Sequence, residues 1–453
     1  MTKPNSAHPP FCRRLALALG MVVSITSAPA LVDANKDGIS DVWAARYPTA
    51  GAPSADPDGD GLNNQTESVA GTDPRSAADR LANTIELDPG TIYSSFTKGD
   101  LVARWRGVVG KRYRLQSSTD LKNWGTVNQL VCVDPDCRVT LRPTYSTDTA
   151  PARHWRVVAL DHDSNNDGVT DWEQLQLGTD PWAGARTTLA SPLFPFALCF
   201  ANANWSIEPA AQITIAQKAG YNGLALSSYD VNATRLKQFA DHADVQSGKF
   251  RIPAILWWAD SNPLTTDFIS KTLDPVLDQL VRMDCALWVV IAGTHDGAGR
   301  AAALAKLHTI ADRCAAKNGR LVLYPHAGTT FITTAEALSL YRDLAALGHP
   351  EVRLSIHLCH EQAAGKMAQI ATTVADAAPY LVIASIDGSN NGGDIKPLDQ
   401  GTYDPTPFLK ALADAGYTGP MTLHTYNLGD PRLDNHLVRS RLRWNQLVAA
   451  PKP

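Results

Sequence analysis

Two hydrophobic periods divide this chain. Between about residues 84 and 160 apolar and polar positions alternate, as in Leu101-Val102-Ala103-Arg104-Trp105-Arg106, Tyr113-Arg114-Leu115-Gln116 and Trp155-Arg156-Val157-Val158, with Gly, Asp and Pro between the runs. A period of two belongs to half-buried strands and predicts a small all-β sandwich module over 84–160. From about Pro195 onward, β-rich runs alternate instead with amphipathic stretches such as Ala301 to Ala316, whose apolar stripe recurs at helical spacing. The runs are Phe196–Phe200, Gly223–Ser227, Ile252–Trp257, Leu287–Ile291, Leu321–Tyr324, Arg353–Leu358, Leu381–Ile386 and Met421–His424. Thr333-Thr334-Ala335-Glu336 reads as a capping box opening one helix, and Thr406-Pro407 as the start of another. Eight strand–helix units in about 260 residues predict an α/β fold, a TIM (β/α)8 barrel over 189–450, rather than an open doubly wound sheet. The first run is not followed by G-x-G-x-x-G, which argues against a dinucleotide site.

A barrel gathers its chemistry at the carboxyl ends of its strands. Five of the twelve histidines stand there, His295, His326, His357, His360 and His424, with Asp387 after the seventh run and Trp257-Trp258 closing the third. Strand alternation puts Tyr324 and His326 on one face, Ser385 and Asp387 on one, and Thr422, His424 and Tyr426 on one, with Leu323, Ile386 and Leu423 turned to the helices. His357 and His360 share a pocket only if the strand ends near Cys359.

Ahead of the β module the pattern is acidic. Asp56-Pro57-Asp58-Gly59-Asp60-Gly61, then Asn64 and Glu67, fits D-x-D-x-D-G-x5-E. Side-chain oxygens at alternate positions converge on one hard cation, Gly61 permits the sharp turn, and Glu67 closes the shell with two oxygens. Asp33, Asn35, Asp37 and Asp41 repeat its first half, as do Asp163, Asn165, Asp167 and Asp171. Both lack the final glutamate, Ala44 and Gln174 standing in its place, so weaker sites or shared ligands are expected. With the recurring Gly-Thr-Asp-Pro at 71–74 and 178–181, these stretches resemble thrombospondin type 3-like calcium repeats of secreted bacterial proteins, over 31–83 and 161–184. The resemblance implies bound Ca2+ that stiffens a spacer.

Composition narrows the remainder. Of 453 residues 44% are hydrophobic and 19% charged, enough for a sizeable core. The net charge of −4 offers no basic footprint for nucleic acid. Lys3, Arg13 and Arg14 flank the apolar stretch Leu15 to Ile25, which ends at Ser27-Ala28-Pro29-Ala30. This predicts a signal peptide over 1–30 and a secreted, periplasmic or cell-surface protein without a membrane span. In that compartment Cys132 and Cys137, flanking a turn, are candidates for a small disulfide loop. Cys199, Cys285, Cys314 and Cys359 read as core thiols.

Tyr324-Pro325-His326-Ala327-Gly328, His357-x-x-His360, Asp387, Pro397-Leu398-Asp399-Gln400-Gly401-x-Tyr403-Asp404 and Ala415-Gly416-Tyr417-Thr418-Gly419-Pro420 fall in the order seen in xylose isomerase-like barrels, the sugar phosphate isomerase/epimerase group. The resemblance, over about 189–450, implies a divalent metal held by Glu, Asp, His and Glu, and proton transfer beside a sugar carbonyl. This chain departs from that quartet. Tyr324 stands at the first glutamate, His357 at the aspartate, Ala384 or Ser385 at the histidine and His424 at the last glutamate, while His326 and His360 match histidines beside the ligands. An imidazole-rich set suits a transition metal such as Zn, Mn or Fe better than magnesium.

The expected function is therefore a metal-dependent carbohydrate isomerase, epimerase or lyase that abstracts a proton alpha to a carbonyl. His326, His357 and His424 would hold the metal and His360 or Asp387 would act as acid/base. Trp257 and Trp258 are candidates for stacking on a sugar ring, and Lys396 for meeting an anionic group. The alternative is a non-catalytic carbohydrate-binding barrel at the cell surface. Oligomeric state is not readable from the sequence.

Overall fold

The computed structural model describes residues 32–87, 101–141, 153–198, 207–260, 262–390, 392–426, 428 and 433–449. The expected signal peptide, and Cys199 with the segment after the first barrel strand, lie outside the described residues. No helix among them is long and apolar enough to cross a membrane.

Among the described residues the period-two segment folds as six strands, β1 (Asn83–Leu87), β2 (Leu101–Arg106), β3 (Arg112–Ser118), β4 (Gly125–Val131), β5 (Asp136–Leu141) and β6 (His154–Leu160). They form two three-stranded antiparallel sheets, β1-β2-β5 and β4-β3-β6. Trp105, Tyr113, Leu115, Leu130, Val139 and Val157 fill one core between them. Cys132 and Cys137 lie in that core as free thiols with sulfurs 3.4 Å apart. The sequence brought them together as expected, but they are not bonded.

Three short helices follow the acidic loops, α1 (Asp41–Arg46), α2 (Asn64–Ala70) and α3 (Asp171–Leu177). Ser40, Asn63 and Thr170 cap them, and Thr170 forms a capping box with Glu173. Although some 130 residues separate them, the first and third loops meet: Ile39, Trp43, Tyr47, Ala50 and Trp172 form one apolar cluster. Buried Lys111, just before β3, reaches the carbonyl of Ser68 at 3.1 Å and lies over the Trp172 ring, joining the β sheets to this cluster.

After β7 (Thr187–Thr188) come the barrel strands β8 (Leu193–Phe196), β9 (Ala254–Ala259), β10 (Ala286–Ile291), β11 (Arg320–Leu323), β12 (Arg353–His357), β13 (Leu381–Ile386) and β14 (Met421–His424), and last β15 (Val448–Ala449), which pairs with β7. The seven make one parallel sheet, β8-β14-β13-β12-β11-β10-β9. Two sequence expectations need correction. The first strand lies at 193–196, not 196–200, because Ala197 takes φ 65° and turns the chain. The second run, 223–227, joins by single parallel bridges: Phe196 to Ala225 on one side, Gly223 to Arg251 and Leu226 to Ile255 on the other. Pro195 accepts from Ala225 N–H at 2.8 Å but has no N–H to return, which interrupts the ladder there. These bridges close the seven strands into a TIM barrel.

Alternation sorts the side chains by face. Leu287, Val289, Ile291, Leu323, Ile386 and Leu423 belong to the core shared with the helices. Phe196, Trp288, Val290, Val322 and Tyr324 fill the interior, where Ala225, Ala254 and Ala286 leave room for the large rings.

Candidate functional site at the barrel mouth

Strand β12 ends at His357 and passes directly into the helix Leu358–Ala363. The switch from a strand period to a helical turn brings Cys359 and His360 to the same end as His357. Four of the five histidines gather there. His326 and His360 face each other with ring centroids 4.0 Å apart, His357 lies 5.5 Å from His360, and His424 6.3 Å from His360. His295 does not join them; it points outward and approaches Glu336 Oε1 at 3.4 Å.

Hydrogen bonds assign protons in this group. Ser355 Oγ donates to the Leu323 carbonyl at 2.9 Å and accepts from Trp288 Nε1 at 2.7 Å. It therefore also accepts from His357 Nε2, at 3.1 Å, which leaves Nδ1 of this buried ring bare and without a partner. His326 Nδ1 lies 2.6 Å from the Ala327 carbonyl and must carry its proton, so the lone pair is on Nε2. His360 Nε2 contacts the Tyr324 hydroxyl at 3.4 Å. Burial lowers the pKa of His326, His357 and His360, so all three rings are neutral at pH 7.

Of the three histidines expected to hold a metal, only His424 belongs to the set of ligand atoms that converges, and Cys359 and Asp387 join it in place of His326 and His357. Cys359, Asp387 and His424 bring one donor atom each to within 4.8 Å of one another, and all three are buried. The His424 ring meets Cys359 Sγ at 3.5 Å through Nδ1. Neither carboxylate oxygen of Asp387 has a hydrogen-bond partner. Burial raises the pKa of the Asp387 carboxyl and the Cys359 thiol well above their ordinary values and lowers that of His424 to about 3. Sequence reasoning placed Cys359 in the core; its signal was its position between two histidines at a strand end.

The substrate candidates separate. Trp258, 44% exposed, stands edge-on to His326 at 4.7 Å, with Tyr426 equally exposed beyond His424. Trp257, on the opposite face of β9, stacks on Phe268 at 5.9 Å instead. Lys396 Nζ pairs with Asp394 at 3.1 Å, in the loop that follows Asp387. A separate cavity of about 820 Å3 lies at the strands' amino ends, among Arg251, Arg320 and Arg353, and contains none of these groups.

At the acidic loop 56–67 several side-chain oxygens stand close together or without partners. Asp56, Asp58 and Asp60 converge within 4.8 Å, and Asp58 Oδ2, Asp60 Oδ2, Asn64 Oδ1 and Glu67 Oε2 are buried without partners. Burial, then the neighbouring aspartates, push the pKa of Glu67 up to about 7. In the third loop Asp163 Oδ1 is likewise unpartnered, and so is Gln174 Oε1 at the twelfth position. Asp171 instead receives Ser164 N–H at 2.7 Å, and burial raises its pKa to about 6. In the first loop Asp33 accepts from Gly38 N–H, Asn35 from Asp37 N–H, Asp37 from Ile39 N–H and Asp41 from Ala34 N–H, all within 3.0 Å. Asn165 and Asp167 hold the third loop in the same way.

Comparison with known proteins identifies the barrel. No curated protein sequence matches the chain. Among solved structures it is similar to the 3-keto-D-glucoside 4-epimerase of E. coli, with 12% identity over 56% of this chain and 99% of that one, TM-score 0.43. It is also similar to D-psicose 3-epimerase from Clostridium cellulolyticum, with 14% identity over 53% and 92%, TM-score 0.42. The probable 3-DHS dehydratase of Bacillus anthracis shares 13% over 56% and 97%, TM-score 0.43. These likenesses concern fold alone. The family profile described as xylose isomerase-like TIM barrel matches residues 213–444, just over half of the chain, and the protein belongs to that family.

Proposed function

We propose that the barrel is a carbohydrate isomerase or epimerase that moves a proton alpha to a sugar carbonyl, with a divalent transition metal held by Cys359, Asp387 and His424. The observation that carries this reading is Asp387: a buried carboxyl with both oxygens unpartnered, converging with a thiol and an imidazole at the mouth of a barrel of this family. A sulfur, nitrogen and oxygen donor set fits zinc or iron, and it does not fit the all-carboxylate demands of magnesium. A cation held there would polarise the sugar carbonyl.

The chain's own groups do the rest. His326, neutral and with a bare Nε2, is set to accept the alpha proton and, as the imidazolium so formed, to give it back; His360, neutral, beside the Tyr324 hydroxyl and 4.0 Å away ring to ring, is placed to take that proton over from His326 before its return. Trp258 and Tyr426 offer exposed faces on which a sugar ring can stack. The orphaned oxygens of loop 56–67 support calcium at that loop, and the leader motif supports export.

Deuterium exchange tests the reading. Free aldoses and ketoses are incubated with the full chain in D2O with added Zn2+, Fe2+ or Mn2+, and the carbon alpha to the carbonyl is followed by NMR. Exchange is expected, reduced about 10²- to 10⁴-fold in His326→Gln and His360→Gln. Sugar binding without exchange under any metal would overturn the enzymatic reading in favour of a binding barrel.

A further inference from the structure

On the outer wall of the barrel, away from the mouth, a second set of metal-ligating groups meets. His308 and Asp312 lie one turn apart on the helix Gly297–Ala316, and His349 lies in the loop between the helix Thr334–Ala346 and β12. One donor atom from each falls within 4.8 Å of the others. His308 Nδ1 is 2.8 Å from His349 Nε2, and Asp312 Oδ1 is 3.4 Å from that same nitrogen. On the far side of the ring, His349 Nδ1 faces Glu351 Oε1 at 3.2 Å.

A proton on His308 Nδ1 satisfies the 2.8 Å contact in the ion-free protein, and a cation can take that proton's place. If Nδ1–H of His349 donates to Glu351, Nε2 is a bare lone pair, and it faces both the Asp312 carboxylate and a second imidazole nitrogen. Lone pairs converge in this way around a proton or a cation. A carboxylate behind a histidine is also the arrangement that orients imidazole ligands and raises their basicity in zinc sites. The loop is held in place: Gly348, at φ 101°, turns the chain so that His349 N–H bonds the Leu344 carbonyl at 2.9 Å.

We infer that His308, Asp312 and His349 form a binding site for a divalent transition metal, zinc in chemical class, with Glu351 orienting His349. Two imidazoles and one carboxylate suit zinc, cobalt or nickel, not calcium. Tetrahedral ligands about 2.0–2.1 Å from the ion stand roughly 3.3 Å apart, so His308 and His349 need separate by only about half an ångström. Asp312 is well exposed, which leaves a position open to water. Such an ion clips the helix Gly297–Ala316 to the loop feeding β12, and so bears on stability rather than on the mouth. The inference does not depend on the proposed function.

The test is Zn2+ titration of the full chain by calorimetry, in excess Ca2+, with Cys359→Ser and His424→Gln present to silence the mouth. One equivalent of Zn2+ is expected to bind and to raise the melting temperature. His308→Gln, at a half-buried position, and Asp312→Asn, at an exposed one, should abolish that site, and Glu351→Gln should weaken it about 10- to 100-fold without altering the metal-free melting temperature. No Zn2+ bound in the silenced background, or binding unchanged by His308→Gln and Asp312→Asn, would overturn the inference. The mouth is read separately: Co2+ held there by the Cys359 thiolate would show a sulfur charge-transfer band, which the outer site, having no sulfur ligand, would not.

Discussion

Asp387 is a carboxyl group buried with nothing to bond, and that has two consequences. Because burial raises its folded-state pKa, the metal-free protein binds an extra proton relative to the unfolded chain above the unfolded carboxylate value of about 3.9. Its contribution to stability therefore falls as pH rises through that value, and Asp387→Asn should remove this fall, as urea denaturation between pH 4 and 7 would read. The Cys359 thiol, raised in the same way, is also protonated at neutral pH. Binding of Zn2+ at the mouth should accordingly release protons and tighten as pH increases. Calorimetry in buffers of different ionisation enthalpy measures that release, and a proton count of zero would exclude Cys359 and Asp387 as ligands. The residue types at the mouth were legible from the strand ends, but which of them converge was not. Cys359 became visible only when β12 was seen to stop at His357, since a one-residue change in a strand end redirects every side chain after it.

At the scale of elements, the loop after β13 links the mouth to the β sheets. Leu130 of β4 bridges Gln400, Val131 N–H donates to the Asp399 carbonyl at 2.9 Å, and Gly401 N–H to the Gln129 carbonyl at 2.8 Å. The buried Gln400 side chain accepts from Asn128 at 2.9 Å and donates to the Arg138 carbonyl at 2.9 Å. Gln400→Ala should cost about 1–3 kcal/mol, since buried partners are left unsatisfied. It should also weaken metal binding at the mouth, because the same loop leaves Asp387; metal affinity unchanged by the substitution would uncouple the two. The acidic loop 56–67 carries a pH dependence of its own. With its pKa raised to about 7, Glu67 is largely protonated at pH 6 and must ionise to ligate Ca2+. Ca2+ affinity should therefore rise from about pH 6 to about pH 8 and become nearly flat in Glu67→Gln, as titration at fixed ionic strength would show.

Across the whole molecule, Glu173 joins segments that are distant in sequence. Its carboxylate is fully buried and accepts from Val32 N–H at 3.2 Å, the Ser40 hydroxyl, and both Thr170 N–H at 2.9 Å and the Thr170 hydroxyl at 2.8 Å. Glu173 stands one position before the twelfth place of the third acidic loop, and the fold uses it to fasten the first acidic loop to the third. Glu173→Gln trades charge-assisted bonds for a misplaced amide, and should destabilise by about 1.5–3 kcal/mol in chemical denaturation. Gln174, beside it, supplies the unpartnered oxygen at the twelfth position. The sequence already showed an amide at that position in place of a carboxylate; only the fold shows that its oxygen is buried without a partner.

The sequence alone determined the periodic features: two-residue alternation in the β sheets, strand–helix repetition in the barrel, the inward and outward faces of its strands, and the oxygen spacing of the acidic loops. All of these are set within a few residues by backbone geometry. The meeting of 33–46 with 163–177, the closure of the barrel past Pro195, the separation of Trp258 from Trp257, and the convergence of Cys359, Asp387 and His424 were decided only in three dimensions. Each depends on where a strand ends or on contacts between segments more than 25 residues apart, and no local pattern encodes such contacts.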